Sequence, residues 1–158
     1  SKGIISGYPD KTLKPNAEIT REEISKMIII AAGYKASSNT SLPYKDNSKI
    51  AAWAKPFIKS AMDAGIIKGY EDNTFRPKNK LTRQEMAVLV INAFGYGVSE
   101  NTNINMKDAN KIPKWAKGHV AKAIELGIIK GYNDNTFRPG NTITRAEVTA
   151  MIARCISQ

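Results

Sequence analysis

The chain predicts a mainly α fold assembled from near-copies of one helix-loop-helix unit, and three observations carry that expectation. The first is a fixed period. Arg21, Arg83 and Arg145 stand 62 residues apart, and Gly7-Tyr8, Gly69-Tyr70 and Gly131-Tyr132 keep the same offset, as do Pro15, Pro77 and Pro139. The second is local identity: residues 65–77 and 127–139 agree at 12 of 13 positions, while 3–15 agrees with 65–77 at eight. The third is apolar residues at helical spacing behind each arginine: Ile24, Met27, Ile28; Met86, Leu89, Val90; Val148, Met151, Ile152. A long fixed period marks a unit that cannot bury its apolar face alone and must pack on its neighbours.

The units fall at 1–35, which holds only the second half of a repeat, at 42–97 and at 104–158, forming one compact domain in all. A second helix type runs from about Trp53 to Ala64 and from about Trp115 to Leu126, closing on Gly65 and Gly127. Its equivalent in the first copy would fall at 53 − 62 = −9. The chain therefore holds two and a half units and five main helices. The expectation is a fragment, or a sixth helix supplied by a second chain covering that site.

Each arginine helix opens on a capping pattern: Thr20-Arg21-Glu22-Glu23, Thr82-Arg83-Gln84-Glu85 and Thr144-Arg145-Ala146-Glu147. The threonine caps the helix and the glutamate three residues on reaches back to it, which puts arginine at the first helical position. A cation there opposes the helix dipole at a cost of about 0.3–1 kcal/mol. Its recurrence in one register admits two readings. Open backbone amides with a guanidinium form an anion site, or each arginine pairs with an acid on the neighbouring unit, worth about 0–1 kcal/mol if exposed. Gly33 and Gly95 suit left-handed helix caps.

In the second helix type Trp53, Phe57 and Ala61 share a face, and the tryptophans are expected as buried anchors of the bundle, with at most a ring edge in a groove. Pro113 suits the first helical position, whereas Pro56 asks for a later start. His119 takes the register of Phe57 and is expected as a partly buried histidine beside the core. Between the helix types, the run Gly-Tyr-x-Asp-x-Thr-Phe/Leu-x-Pro reads as a tight loop around Leu13, Phe75 or Phe137. Asp10, Asp72 and Asp134 are expected to bond backbone two residues on. The loop lacks the alternating carboxylates and terminal glutamate of a calcium site. Residues 36–42 and 97–105 are polar linkers.

Composition narrows the classes of function. A formal charge of +10, from 24 basic and 14 acidic residues, implies an anionic partner. The lysines are scattered, and neither a helix-turn-helix nor an aromatic RNA motif occurs, so a nucleic-acid or general polyanion binder is the alternative reading and no nucleic acid is expected. No apolar run reaches the length of a membrane span, so no membrane partner is expected. The lone Cys155 reads as a small apolar residue on the last helix. No metal site, cofactor, paired carboxylates, Ser-His or Cys-His constellation or phosphate loop stands out, and no enzyme is expected.

Taken as an ordered set, Trp53-Ala54 and Trp115-Ala116, Gly-Ile-Ile-x-Gly-Tyr, Asp-x-Thr-Phe-x-Pro and the Thr-Arg-Ala-Glu motif resemble the S-layer homology family, which occurs as triplets at bacterial surfaces. The match covers nearly the whole chain. The resemblance implies a pseudo-threefold spindle of helix-loop-helix repeats that lies outside the cell, in the wall or S-layer. It further implies grooves between prongs that bind an anionic cell-wall polysaccharide carrying pyruvylated N-acetylmannosamine. The pyruvyl carboxylate would meet Arg145, Arg83 and Arg21. Gly69-Tyr70, Gly131-Tyr132 and Gly7-Tyr8 would line the grooves with Trp53 and Trp115, and Asp46 and Asp108 match the acidic residue that precedes the family's first helix. The aromatic that the family usually places two residues before those aspartates is Tyr44 in one copy and is replaced by Met106 in the other. The chain departs again where Ala51-Ala52 and Pro113-Lys114 replace Gly-His before the tryptophans.

Overall fold

The computed structural model describes residues 14–158. Gly7, Tyr8, Asp10, Thr12 and Leu13 lie outside the described residues. Within them are five α-helices: α1 (Arg21–Ala31), α2 (Lys55–Asp63), α3 (Arg83–Phe94), α4 (Lys114–Glu125) and α5 (Arg145–Ile156). Single 3-10 turns at Asn47–Lys49 and Ala109–Lys111 precede α2 and α4. The fold is mainly α, as the helical spacing predicts.

A backbone triangle joins the arginine helices. Leu81 N–H donates to the Ile19 carbonyl at 2.8 Å, Ile143 N–H to Leu81 at 2.9 Å, and Ile19 N–H to Ile143 at 3.2 Å. The circuit closes on itself, and all three side chains are fully buried. Three isolated antiparallel bridges, Glu18 with Thr144, Thr20 with Lys80 and Thr82 with Thr142, flank it. Residues related by the 62-residue period thus stand in threefold-like positions around one apolar hub.

The helix starts correct one expectation. Arg21 N–H donates to Asn79 O at 3.0 Å and Glu22 N–H to Pro77 O at 3.1 Å. Arg83 and Gln84 amides reach Asn141 and Pro139, and those of Arg145 and Ala146 reach Ala17 and Pro15. The third amide of each helix goes to its capping threonine. No first-turn amide stands open to an anion, because the neighbouring repeat supplies the acceptors that helix ends require. The capping boxes of α1 and α3 close in both directions.

Helix α1 packs along α2, and α3 along α4, each pairing one repeat with the next. In α2 the buried face is Ala54, Ile58 and Ala61 rather than Trp53 and Phe57. Pro56 near the helix start leaves Trp53 in the preceding turn. Neither tryptophan is a buried anchor: Trp53 is 48% exposed and Trp115, inside α4 where Ala116 and Val120 face the core, 58%. Gly95 caps α3 at φ +69°, and Gly33 follows α1 at φ +83°, the left-handed conformations their positions demand. Cys155 is buried, and burial pushes its thiol up to about 11.

One mismatch between repeats is visible at the helix starts. Glu22, buried in α1, accepts from Ala51 N–H at 3.0 Å and pairs with Lys78. Its counterpart Gln84 meets the register of Pro113, which has no N–H, and the Gln84 side-chain oxygen is buried without a partner.

The repeated loops are held from inside. Asp72 accepts from Thr74 N–H at 3.0 Å and Asp134 from Thr136 N–H at 3.1 Å, two residues on as expected. Asp46 accepts from the Phe75 and Arg76 amides, and Asp108 from Phe137 and Arg138, each at 2.8 Å. These bonds fix Arg76 and Arg138 at φ +56°, a region that L-residues avoid at a cost of about 1–2 kcal/mol. No helix among the described residues is long and apolar enough to cross a membrane.

Candidate functional site

A cleft of about 600 Å³ opens between the loop that follows α2, the face of α3 and the start of α4. Arg21 lies at its inner end, reaching out of its own helix into the next repeat. Its Nε donates to Phe75 O at 2.8 Å and its Nη2 to Lys68 O at 2.7 Å, while Nη1 lies 3.5 Å from Glu85 Oε2. The guanidinium stands 4.7 Å from the centroids of both Tyr70 and Phe75. Neutralisation by Glu85 and by loop carbonyls offsets the unfavourable dipole at the helix start.

Arg83 repeats this geometry, with Nε to Phe137 O at 2.8 Å, Nη2 to Lys130 O at 3.0 Å and Nη1 to Glu147 Oε2 at 3.0 Å. Arg145 Nη1 lies 3.3 Å from Glu23 Oε2. The three pairs form a closed cycle, each arginine meeting the capping glutamate of the next repeat in turn. At 5%, 5% and 7% exposure the arginines are buried, which bears out the neighbouring-acid reading of their register. Arg21 and Arg83 nevertheless line clefts. Each has three of its five N–H groups engaged by the interactions described.

The other residues singled out in the sequence divide. Gly69 and Trp115 line the large cleft. A Cβ on Gly69 would sit 2.3 Å from Tyr44 Cε1, and one on Gly131 2.8 Å from Met106 Cε, so both glycines admit a neighbouring side chain. Tyr70 is sandwiched between Arg21 and Arg76, and Tyr132 between Arg83 and Arg138. Asp46 and Asp108 each give both carboxylate oxygens to loop amides. Burial pushes their carboxyls up, but those amide bonds outweigh it and hold them below the ordinary range. Trp53 stands beside Lys26, whose Nζ is 5.9 Å from its ring and 5.8 Å from Phe57. Tyr8 and Gly7 lie outside the described residues.

Sequence reasoning missed Asn92, Glu85 and His119 as cleft residues. Glu85, Leu89 and Asn92 follow one face of α3, and Trp115 and His119 one face of α4. That spacing, laid beside the arginine motif, is the signal that identifies them. The cleft beside Arg83 is smaller, about 170 Å³, and carries Arg154 where the first has Asn92. Among the described residues no group of three metal-ligating side chains occurs.

A cleft walled by helices of successive repeats, with a neutralised arginine at its root and an exposed indole at its rim, defines a binding module. The S-layer homology domain model matches residues 1–24, 43–87 and 105–149, most of the chain, and the chain belongs to that family. Similar proteins include cell surface glycoprotein 1 of Acetivibrio thermocellus, 34% identical over 99% of this chain and 7% of its own length. The cellulosome-anchoring protein of the same organism is 33% identical over 98% of this chain and 36% of its own. An S-layer protein of Bacillus thuringiensis subsp. finitimus is 29% identical over 99% and 19%. The chain thus spans a minor part of each of these relatives. Family and relatives give it an extracellular place, at the cell wall or S-layer.

Proposed function

We propose that the chain anchors the protein carrying it to the cell wall, by binding an acidic wall polysaccharide bearing pyruvylated N-acetylmannosamine in the clefts between repeats. The observation that carries this reading is the pairing, in one cleft, of Arg21 with the exposed indole of Trp115. A guanidinium suits a carboxylate, and an exposed aromatic face suits the apolar face of a sugar ring. The net charge of +10 draws a polyanion toward the surface. Several clefts acting on one polymer would raise avidity without any single tight site.

The test is retention of the chain on purified wall polysaccharide, before and after removal of its pyruvyl groups, with duplex DNA as competitor. Retention that falls on removal of the pyruvyl groups and survives DNA supports the reading. Retention that ignores the pyruvyl groups, or that DNA abolishes, refutes it in favour of general polyanion binding.

A further inference from the structure

The third repeat holds a pocket at a place where the second is packed. It measures about 380 Å³ and lies between the linker that follows α3 and one side of α4. Ala121, Ile124 and Glu125 line it from α4, on a face that helical spacing turns away from Trp115 and His119, so it is separate from the Arg21 cleft. Residues 127–139 repeat 65–77 at 12 of 13 positions, yet seven of the nine residues around this pocket differ from those 62 earlier. In the second repeat Leu42 and Tyr44 are buried, and the Tyr44 hydroxyl donates to Met62 Sδ at 3.2 Å. In the third, Met106, Ala121 and Ile124 stand in place of Tyr44, Lys59 and Met62. The ring and the lysine chain are gone, and Ile104 and Met106 are left only partly buried.

The pocket has an apolar floor and a carboxamide rim. Ile104, Met106, Ala121 and Ile124 make the floor, and the exposed Asn101, Asn103 and Asn105 the rim. The rim is held in place: Ser99 N–H donates to Gly118 O of α4 at 3.1 Å, its hydroxyl to Asn101 O at 3.0 Å, and Asn103 N–H to Asn101 Oδ1 at 3.1 Å. No lysine or arginine lines the pocket, and its one charged residue, Glu125, pairs with Lys122 at 3.0 Å. On a chain of net charge +10, this pocket is therefore not built for an anion. A carboxamide carries both donors and an acceptor, which suits hydroxyl groups, and the floor suits the C–H face of a ring. The volume is at the small end of the range of about 300–1,000 Å³ that small-molecule sites occupy. An aromatic side chain would use the floor and gain nothing from the rim.

We infer that this pocket is a second carbohydrate site, taking one neutral hexopyranose with its C–H face on Ile104, Met106 and Ile124 and its hydroxyls on the rim carboxamides. The site stands whether or not the arginine clefts take a carboxylate. A glycan that carries both acidic and neutral units is then held at two points on different faces of α4, which adds avidity without a tight contact at either.

The experiment uses the 158-residue chain with its methionine methyl groups labelled for NMR. Met106 lines the pocket, and Met27, Met62, Met86 and Met151 serve as internal references. The probes are the methyl glycosides of glucose, galactose and mannose, with p-cresol as the aromatic rival. At least one sugar should give a saturable shift of the Met106 methyl alone, with a dissociation constant on the order of millimolar, the reach of so small a ligand. Ala121→Lys, which installs the residue of the second repeat, should abolish that shift. An Ala121→Lys chain that loses its native spectrum is replaced by Asn103→Ala at the exposed rim, which should weaken the sugar about fivefold. No saturable shift from any of the three sugars, a shift shared by the reference methionines, or binding undiminished in the variant overturns the inference. Binding of p-cresol in place of the sugars also overturns it and gives the pocket to an aromatic side chain.

Discussion

Replacing Arg83 with alanine tests whether the arginine ring is a structural support as well as a groove feature. The change removes donors from the buried Phe137 carbonyl and the partly buried Lys130 carbonyl, and the counter-charge from Glu147. An orphaned buried acceptor costs about 1–3 kcal/mol. The Glu147 side chain is 36% exposed, so water resolvates it and its share is about 0–1 kcal/mol. Loss of the guanidinium over Tyr132 and Phe137, at 4.6 and 5.1 Å, adds about 0.5–1 kcal/mol. The sum is about 1.5–5 kcal/mol, whose middle corresponds to roughly 10 °C in Tm for a chain of this size. Urea denaturation followed by circular dichroism measures it, with Lys122→Ala, which breaks the surface pair to Glu125, expected within about 0.5 kcal/mol. A loss below about 1 kcal/mol in a natively folded Arg83→Ala would falsify the structural account.

Other perturbations separate the repeats by local geometry. Gly69→Ala places a Cβ against the Tyr44 ring and 2.9 Å from the Thr74 carbonyl, whereas at Gly131 the nearest atom is the mobile end of Met106. Gly69→Ala should cost about 1–3 kcal/mol and Gly131→Ala visibly less, read as the difference between their urea midpoints. Asp46 and Asp108 have folded pKa values below their unfolded ones, so their contribution is complete above the unfolded value of about 4 and is lost as pH falls through the folded value. Asp108→Asn should lower stability at pH 7 and flatten its decline on acidification below pH 4; a decline as steep as wild type argues against the clamp.

Local features were legible in the sequence, and partners distant along the chain were not. The threonine caps and closing glycines follow from chemistry within four residues, and the structure has them at Thr20, Thr82, Thr144 and Gly95. The 62-residue period exposed the unit. It did not expose how units join, because Arg21 finds its acceptors 47 and 54 residues away, and the first-turn amides find theirs on the next repeat. The exposed tryptophans were misread because the buried face begins one position later in both copies, at Ala54, Ile58 and Ala61 and at Ala116, Val120 and Ala123. Asp46 was rightly singled out as a residue preceding a helix, but its partners lie 29 and 30 residues on. Asn92 and His119 escaped because neither recurs at the same position in another copy, and periodicity finds only what repeats.

Each capping glutamate has two tasks that a single substitution can divide. Glu85 Oε1 accepts from the Thr82 amide at 3.1 Å while Oε2 faces Arg21 at 3.5 Å. The cap needs an oxygen, which glutamine also supplies; the ion pair needs the charge. Glu85→Gln should therefore keep α3 capped, with a stability loss of about 1 kcal/mol or less, since the pair sits at a partly solvated rim. Its effect on binding runs the other way. A ligand carboxylate at Arg21 stands within several ångströms of Glu85, and two like charges about 4 Å apart repel by about 1 kcal/mol even in water. Removing that repulsion should tighten an acidic sugar about fivefold at low salt, and the gain should shrink as salt rises. Isothermal titration at two ionic strengths measures both. If Glu85→Gln instead weakened binding, the glutamate would be accepting a sugar hydroxyl, and the cleft would read Arg21 and Glu85 together as a donor-acceptor pair rather than the guanidinium as an anion site.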